Sequence, residues 1–319
     1  MDCDLVKIAP EFVERDGFHI AVYRAGEGPV VLLLHGFPAL SLSLRHQFSA
    51  LVEAGYQCVA IDQRGFGASD CPQDVDAYSM SRLRLDVVNV MDFFEIKNAY
   101  ALGHDWGGSV AWQLATHYPN RIKGVISLST FLFPRTPNEP IAARRSQMGD
   151  DNYVVFFQTP GKADDILNAD IGRTIDFMFR QQFMTMDDYP DASPVVQNFE
   201  LLTEFQSGNW PGIALLSDAE RRHYVDAFER TTFTPGINWY RNITQNWIDS
   251  EGEDRLVHQP SLLISGKDDY FAPPFAAPRT HERVANLQLA TVAGGHWFPL
   301  ETPRQTNRVI LDWLSQMAS

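Results

Sequence analysis

The sequence predicts an α/β protein: a mostly parallel, doubly wound sheet with a helical segment inserted between two of its strands. Three observations carry this. Short aliphatic runs of strand length alternate with helical periodicities from Val30 to Leu128. That rhythm stops near Phe133 and gives way to an aromatic, helical and loop-rich stretch. It returns at Ser261 and continues to a C-terminal helix. A segment inserted in this way reads as a lid over the carboxyl ends of the strands, where open α/β sheets bind ligands. Residues 1–133 and 258–319 are expected to form the core, and residues 134–257 the helical cap.

The elements justify themselves in turn. Phe12 to Arg15 and Phe18 to Tyr23 flank Asp16-Gly17, a two-residue hairpin signal. Val30 to Leu34 is a continuous aliphatic run, as a buried parallel strand requires, and opens into His35-Gly36-Phe37-Pro38. Helical spacing follows at Phe48, Leu51 and Val52, then a strand at Cys58 to Ile61, then a helix from Ser81 to Phe94. Ala99 to Leu102 and Ile122 to Leu128 are the next strands. In the inserted segment Ser217-Asp218-Ala219-Glu220 is a capping box opening a helix through Phe228. After Pro235-Gly236 a further helix is expected to carry Ile237, Tyr240, Ile243 and Trp247 on one face. Ser261 to Ser265 and Leu287 to Val292 resume the sheet. A last helix begins near Pro303, with Val309, Ile310, Trp313, Leu314 and Met317 facing inward.

Composition narrows the function classes. With 45% hydrophobic and 21% charged residues, the 319-residue chain has the profile of a soluble globular protein with a sizeable core. A net charge of −14 argues against a nucleic-acid or anionic-lipid partner. Cys3, Cys58 and Cys71 have no metal-ligand spacing, which points to a reducing compartment. The acidic start shows no secretory signal, and no apolar run approaches the roughly 20 residues needed to span a bilayer. The expected location is cytoplasmic. The oligomeric state stays open, a homo-oligomer included.

Chemistry enters at Gly103-His104-Asp105-Trp106-Gly107-Gly108, between a strand and a helix that Pro119 ends. Strand, Gly-rich turn and helix form a nucleophile elbow, whose central residue is usually serine. Here it is Asp105. A serine that attacked a saturated carbon would leave an ether, which histidine and water cannot cleave. A carboxylate leaves an alkyl ester instead, and water can hydrolyse that at the carboxyl carbon. An aspartate elbow therefore suits epoxides or alkyl halides; the plainer reading is a helix-capping Asp.

With such elbows the partners follow in the order nucleophile, acid, base. Asp269 lies after the first strand beyond the insertion and His296 after the last, on the same sheet edge as Asp105. His296 is the candidate base and Asp269 the acid orienting it. Asp268 is the rival acid, but neighbours at a turn point apart. The backbone N–H groups of Phe37 and Trp106 are candidate oxyanion donors. His35 and His104 are assigned to local hydrogen bonding and packing. No residue cluster has zinc spacing and no loop matches a phosphate or dinucleotide fingerprint, so no metal or cofactor is expected.

His35-Gly36-Phe37-Pro38, Gly103 to Gly108 and Gly295-His296-Trp297 together resemble the α/β-hydrolase-fold epoxide hydrolases, including the plant enzymes and the C-terminal hydrolase domain of the mammalian soluble enzyme. The likeness covers nearly the whole chain. Tyr153-Val154-Val155-Phe156-Phe157-Gln158 and Gly236 to Asn242 are similar to that family's two lid-tyrosine motifs. The resemblance implies that Tyr153 and Tyr240 are paired phenols donating to an epoxide oxygen, and it favours Asp269 over Asp268. The implied substrates are a small-molecule epoxide and water, and the product a vicinal diol. The residues themselves agree, because an epoxide leaves as an alkoxide and needs an acid. A haloalkane dehalogenase is the nearest alternative, although Phe37 stands where that family usually has a halide-binding Asn or Trp. A non-catalytic ligand-binding protein on the same fold is the second. One departure stands out. Ala39 to Arg45 carries small and aliphatic residues where the family commonly has tryptophans, which predicts a roomier pocket wall.

Overall fold

A computed structural model of the chain describes residues 5–15, 17–181, 183–253 and 255–317. Ten strands occur among them: β1 (Glu11–Arg15), β2 (Phe18–Ala25), β3 (Val30–Leu34), β4 (Gln57–Asp62), β5 (Ala99–His104), β6 (Ile122–Leu128), β7 (Arg180–Gln181), β8 (Ile213–Ala214), β9 (Ser261–Gly266) and β10 (Leu287–Val292). Eight of these form one sheet in the order β1-β2-β4-β3-β5-β6-β9-β10. From β4 to β10 every neighbouring pair is parallel; β2 is antiparallel to both β1 and β4. Arg15 pairs with Phe18 across the predicted hairpin, where Gly17 has φ +75°. Asp16 and Cys3 lie outside the described residues.

The aliphatic run in β3 is continuous because both faces of the sheet are covered. Val31 and Leu33 pack with Phe48, Ile310 and Trp313 on one side. Leu32 and Leu34 pack with Leu83, Val87, Val110 and Leu114 on the other. Period-two alternation thus divides one strand between two cores. The helices supplying these contacts are Arg45–Glu53 and Pro303–Met317 on the first face, and Met80–Phe93 and Trp106–His117 on the second.

Between β6 and β9 the described chain is mostly helical, with the small β7–β8 pair as its only strands. The capping box forms as read: Ser217 Oγ accepts from Glu220 N, and Glu220 Oε2 accepts from Ser217 N at 2.8 Å. The single helix expected after Pro235-Gly236 is broken in two, Thr234–Arg241 and Ile243–Asp249. Asn242 is the cause. Its side-chain amide donates to the Asn238 carbonyl at 2.8 Å, four residues back, and to Val75 O at 2.7 Å. Its backbone N–H turns to Trp239 O instead, so the ladder shifts register there. No described helix is long and apolar enough to cross a membrane.

Candidate active site

β5 ends in the elbow. Asp105 takes φ +53° and ψ −126°, a conformation that L residues adopt at a cost of about 1–3 kcal/mol. Two glycines make room for it. A Cβ on Gly103 would stand 2.1 Å from Gly107 O, and one on Gly107 would stand 2.0 Å from Leu34 O. Both obstacles are backbone, so neither can swing aside. Gly107→Ala is therefore expected to lose about 1–3 kcal/mol of stability from overpacking. Denaturant titration checks it; an unchanged midpoint would mean that helix Trp106–His117 shifts freely against β3.

The ends of β9 and β10 bring the other two predicted residues to Asp105. His296 Nδ1 lies 3.1 Å from Asp269 Oδ2, and His296 Nε2 lies 3.8 Å from Asp105 Oδ2. Asp269 is fully buried, and its other oxygen accepts from the backbone N–H groups of Phe271 and Ala272, both at 3.0 Å. Asp268 points elsewhere and accepts from Met186 N at 3.1 Å. Phe37 N–H donates to Asp105 Oδ1 at 2.8 Å, and the Trp106 N–H also hydrogen-bonds this carboxylate.

The two tempting histidines are occupied. His35 Nε2 accepts from Gln63 N at 3.0 Å, which leaves Nδ1 to donate to Gly36 O at 2.9 Å. His104 Nε2 donates to His296 O at 2.9 Å. Burial, then the adjacent His296, pushes His104 down to about 3, so its ring is neutral and supports the His296 loop.

Electrostatics separate Asp105, Asp269 and His296. Burial pushes Asp105 above the ordinary aspartate value, against the pull of His296 and of the two N–H donors. Burial would do the same to Asp269, but the His296 charge and the hydrogen bonds hold it below that value. For His296, burial favours the neutral ring, yet Asp269 and Asp105 outweigh it and raise the imidazole to about 9.

Tyr153 and Tyr240 face the same space. They hydrogen-bond each other, their ring centroids lie 5.7 Å apart, and both line a cavity with Asp105 and His296. Burial raises both phenols, Tyr153 to about 12, so they remain protonated donors at neutral pH. Tyr240 is wedged edge-on among Phe37, Trp106 and Phe157, at 5.1 to 5.5 Å between centroids.

Comparison with known proteins agrees with this geometry. Residues 29–303 match the alpha/beta hydrolase fold family. Over 317 residues the chain is 35% identical to epoxide hydrolase A of Mycobacterium tuberculosis, with 95% of this chain and 96% of that one covered. The chain belongs to the epoxide hydrolases of the α/β-hydrolase fold. The crystal structure of epoxide hydrolase A from Mycobacterium thermoresistibile superposes with a TM-score of 0.85 at 34% identity, covering 97% of this chain and 98% of that one. Bifunctional epoxide hydrolase 2 of Sus scrofa is 29% identical over 94% of this chain, which spans only 54% of that longer protein.

In this epoxide hydrolase the expected roomier wall at Ala39 to Arg45 is absent. Residues 39–44 are each at most 4% exposed and line none of the cavity. Leu40 and Leu42 belong to the core, Ser41 N donates to Asp62 Oδ1, and Arg45 pairs with Glu220 of the capping box. The stretch looked like pocket wall because it follows Phe37 directly, but it packs against β3 and β4 instead. Phe177, Tyr270, Phe271 and Trp297 supply aromatic wall instead. Sequence reasoning also missed Glu301. It lines the cavity, and its carboxylate accepts from Gly295 N at 3.0 Å, tying down the loop that carries His296. A carboxylate five residues after the histidine, just before Pro303, was the available signal.

Proposed function

We propose that Asp105 opens the epoxide ring as a carboxylate nucleophile while Tyr153 and Tyr240 hold and protonate the departing oxygen. The juxtaposition of two hydrogen-bonded phenols with Asp105 in one cavity carries this reading. The carboxylate forms a C–O bond to one ring carbon, the ring C–O bond breaks, and a phenol proton passes to the alkoxide. The result is a hydroxyalkyl ester of Asp105. His296, oriented by Asp269, then takes a proton from water as that water adds to the Asp105 carboxyl carbon. The 3.8 Å between His296 Nε2 and Asp105 Oδ2 is too long for a direct hydrogen bond and leaves access for this water. The N–H groups of Phe37 and Trp106 support the oxyanion, each worth roughly 3–4 kcal/mol by analogy with serine hydrolases. Breaking the ester C–O bond releases a vicinal diol and restores the carboxylate, and the proton taken up by His296 returns through water to the phenolate, which completes the cycle.

In this reading residues 134–257 are the cap that brings the phenols, and residues 1–133 with 258–319 the core that brings the triad. The sparse cysteines suit a cytoplasmic setting. No step calls for a metal or cofactor. A dehalogenase would need donors for a halide, and the Phe37 side chain offers none. A panel of epoxides, bromoalkanes and carboxylic esters tests the assignment. Diol formation without appreciable halide or acid release is expected; halide release exceeding diol formation would overturn it.

A further inference from the structure

Glu301, Thr302 and Gln305 all hold the loop that carries His296. Gln305 Oε1 accepts from Ala293 N at 3.1 Å, and Thr302 Oγ1 donates to Ala293 O at 2.7 Å. Glu301 Oε2 accepts from Gly295 N at 3.0 Å, and the same carboxylate hydrogen-bonds the Trp297 N–H. Gly295 and Trp297 flank His296, so Glu301 grips the backbone on both sides of the base. It lies close against the loop: a Cβ on Gly294 would stand 2.9 Å from Glu301 Oε2. Of the three side chains, Glu301 alone is charged, and it alone lines the cavity shared with Asp105 and His296.

A neutral side chain can tie this loop, as Gln305 and Thr302 do. A carboxylate in the same place is harder to desolvate. Burial pushes Glu301 above the ordinary glutamate value, against the two N–H donors and the His296 charge. A charge kept at that cost points to a task that an amide would not perform.

The groups around His296 show what the task is. Asp269 lies 3.1 Å from one ring nitrogen and Asp105 3.8 Å from the other. His104, with its ring centroid 4.9 Å away, is neutral. The phenols of Tyr153 and Tyr240 are protonated. Arg180 and Asp268 line the cavity too, but Arg180 pairs with Glu204 and Asp268 accepts from Met186 N. Esterification removes the charge of Asp105. Asp269 and Glu301 are then the anions left to act on the imidazole.

We propose that Glu301 is a second positioning carboxylate for His296. It fixes the loop through Gly295 and Trp297, and its charge stabilises the imidazolium formed as water attacks the Asp105 ester. This deepens the assignment of Asp105 as nucleophile and rests on it. The plainer role is a cap, since a carboxylate in the first turn of the short helix Phe298–Glu301 satisfies free N–H groups.

Single turnovers across pH separate the two roles. Tryptophan fluorescence follows alkylation, and intact-protein mass spectrometry of quenched samples follows loss of the ester. Glu301→Gln keeps an acceptor for the Gly295 N–H and removes the charge. It is expected to lower the midpoint of ester hydrolysis by about half a pH unit and the high-pH rate by about threefold, because the imidazole loses a neighbouring anion. Alkylation should stay within about twofold of the wild type, because Glu301 acts on the base and not on the nucleophile. Glu301→Asp, which keeps a charge, should hold the midpoint nearer to the wild type. Thr302→Val removes a neutral tie and should leave the midpoint in place. An unchanged midpoint in Glu301→Gln would overturn the proposal and leave Glu301 as a cap. An equal fall in Thr302→Val would overturn it as well, by tracing the shift to a loosened loop. If neither the wild type nor any variant formed ester on Asp105, the reading of Asp105 as an epoxide-opening nucleophile would itself fail.

Discussion

His296→Gln is expected to stop the reaction after its first half, leaving one equivalent of ester on Asp105. In the proposed mechanism ring opening needs the Asp105 carboxylate and the two phenols, none of which the substitution removes. Ester hydrolysis needs a base beside the Asp105 carboxyl carbon, and glutamine has none. Losing a positioned base costs about 10²–10⁴ in rate, so the steady state collapses while alkylation survives. Intact-protein mass spectrometry with a reactive epoxide should show the added mass in the variant and little of it in the wild type. Unmodified protein, or wild-type turnover, would refute the division of labour. The pH dependence has a definite sign as well. In the free enzyme Asp269 and Asp105 hold His296 protonated up to about 9. Esterification removes the Asp105 charge, so the imidazole falls back towards its ordinary value when it must accept a proton. Ester hydrolysis in single turnovers should therefore be lost as pH falls, through a midpoint below 9.

Replacing both lid phenols, Tyr153→Phe with Tyr240→Phe, is expected to slow alkylation by about 10²–10⁴, the loss of general-acid assistance to an alkoxide. Each single change should cost less, because the remaining hydroxyl still reaches the same oxygen. Phenylalanine suits the test because it keeps the ring contacts that Tyr240 makes with Phe37, Trp106 and Phe157. Stopped-flow tryptophan fluorescence follows alkylation directly, with Trp106 beside the reacting carboxylate. Hydrolysis of ester already formed should stay near its wild-type rate. A double variant that alkylates at the wild-type rate would leave the phenols as packing residues.

Much of this arrangement was legible in the chain because each feature is set locally. Gly103 and Gly107 announce an elbow, since a side chain at either would meet backbone about 2 Å away. β6 and β10 begin and end where their apolar runs do. Asp269 and His296 could be placed by chain order, because parallel strands deliver their following loops to one edge. Where reading failed, a long-range partner decided the matter. Asn242 breaks its helix by reaching Val75, far away in sequence. The run after Phe37 turns into the core because Asp62 and Glu220 hold it there.

Phe37 joins the two halves of the chemistry in a single residue. Its backbone N–H grips the Asp105 carboxylate, while its ring is held edge-on by Phe157, Phe233 and Tyr240 from the helical layer above. The same ring contact ties the proposed oxyanion donor to the proposed phenol of Tyr240. The proton donor proposed for ring opening and the support proposed for ester cleavage thus share one packing unit. On the proposed mechanism, a change that loosens this packing weakens both half-reactions together.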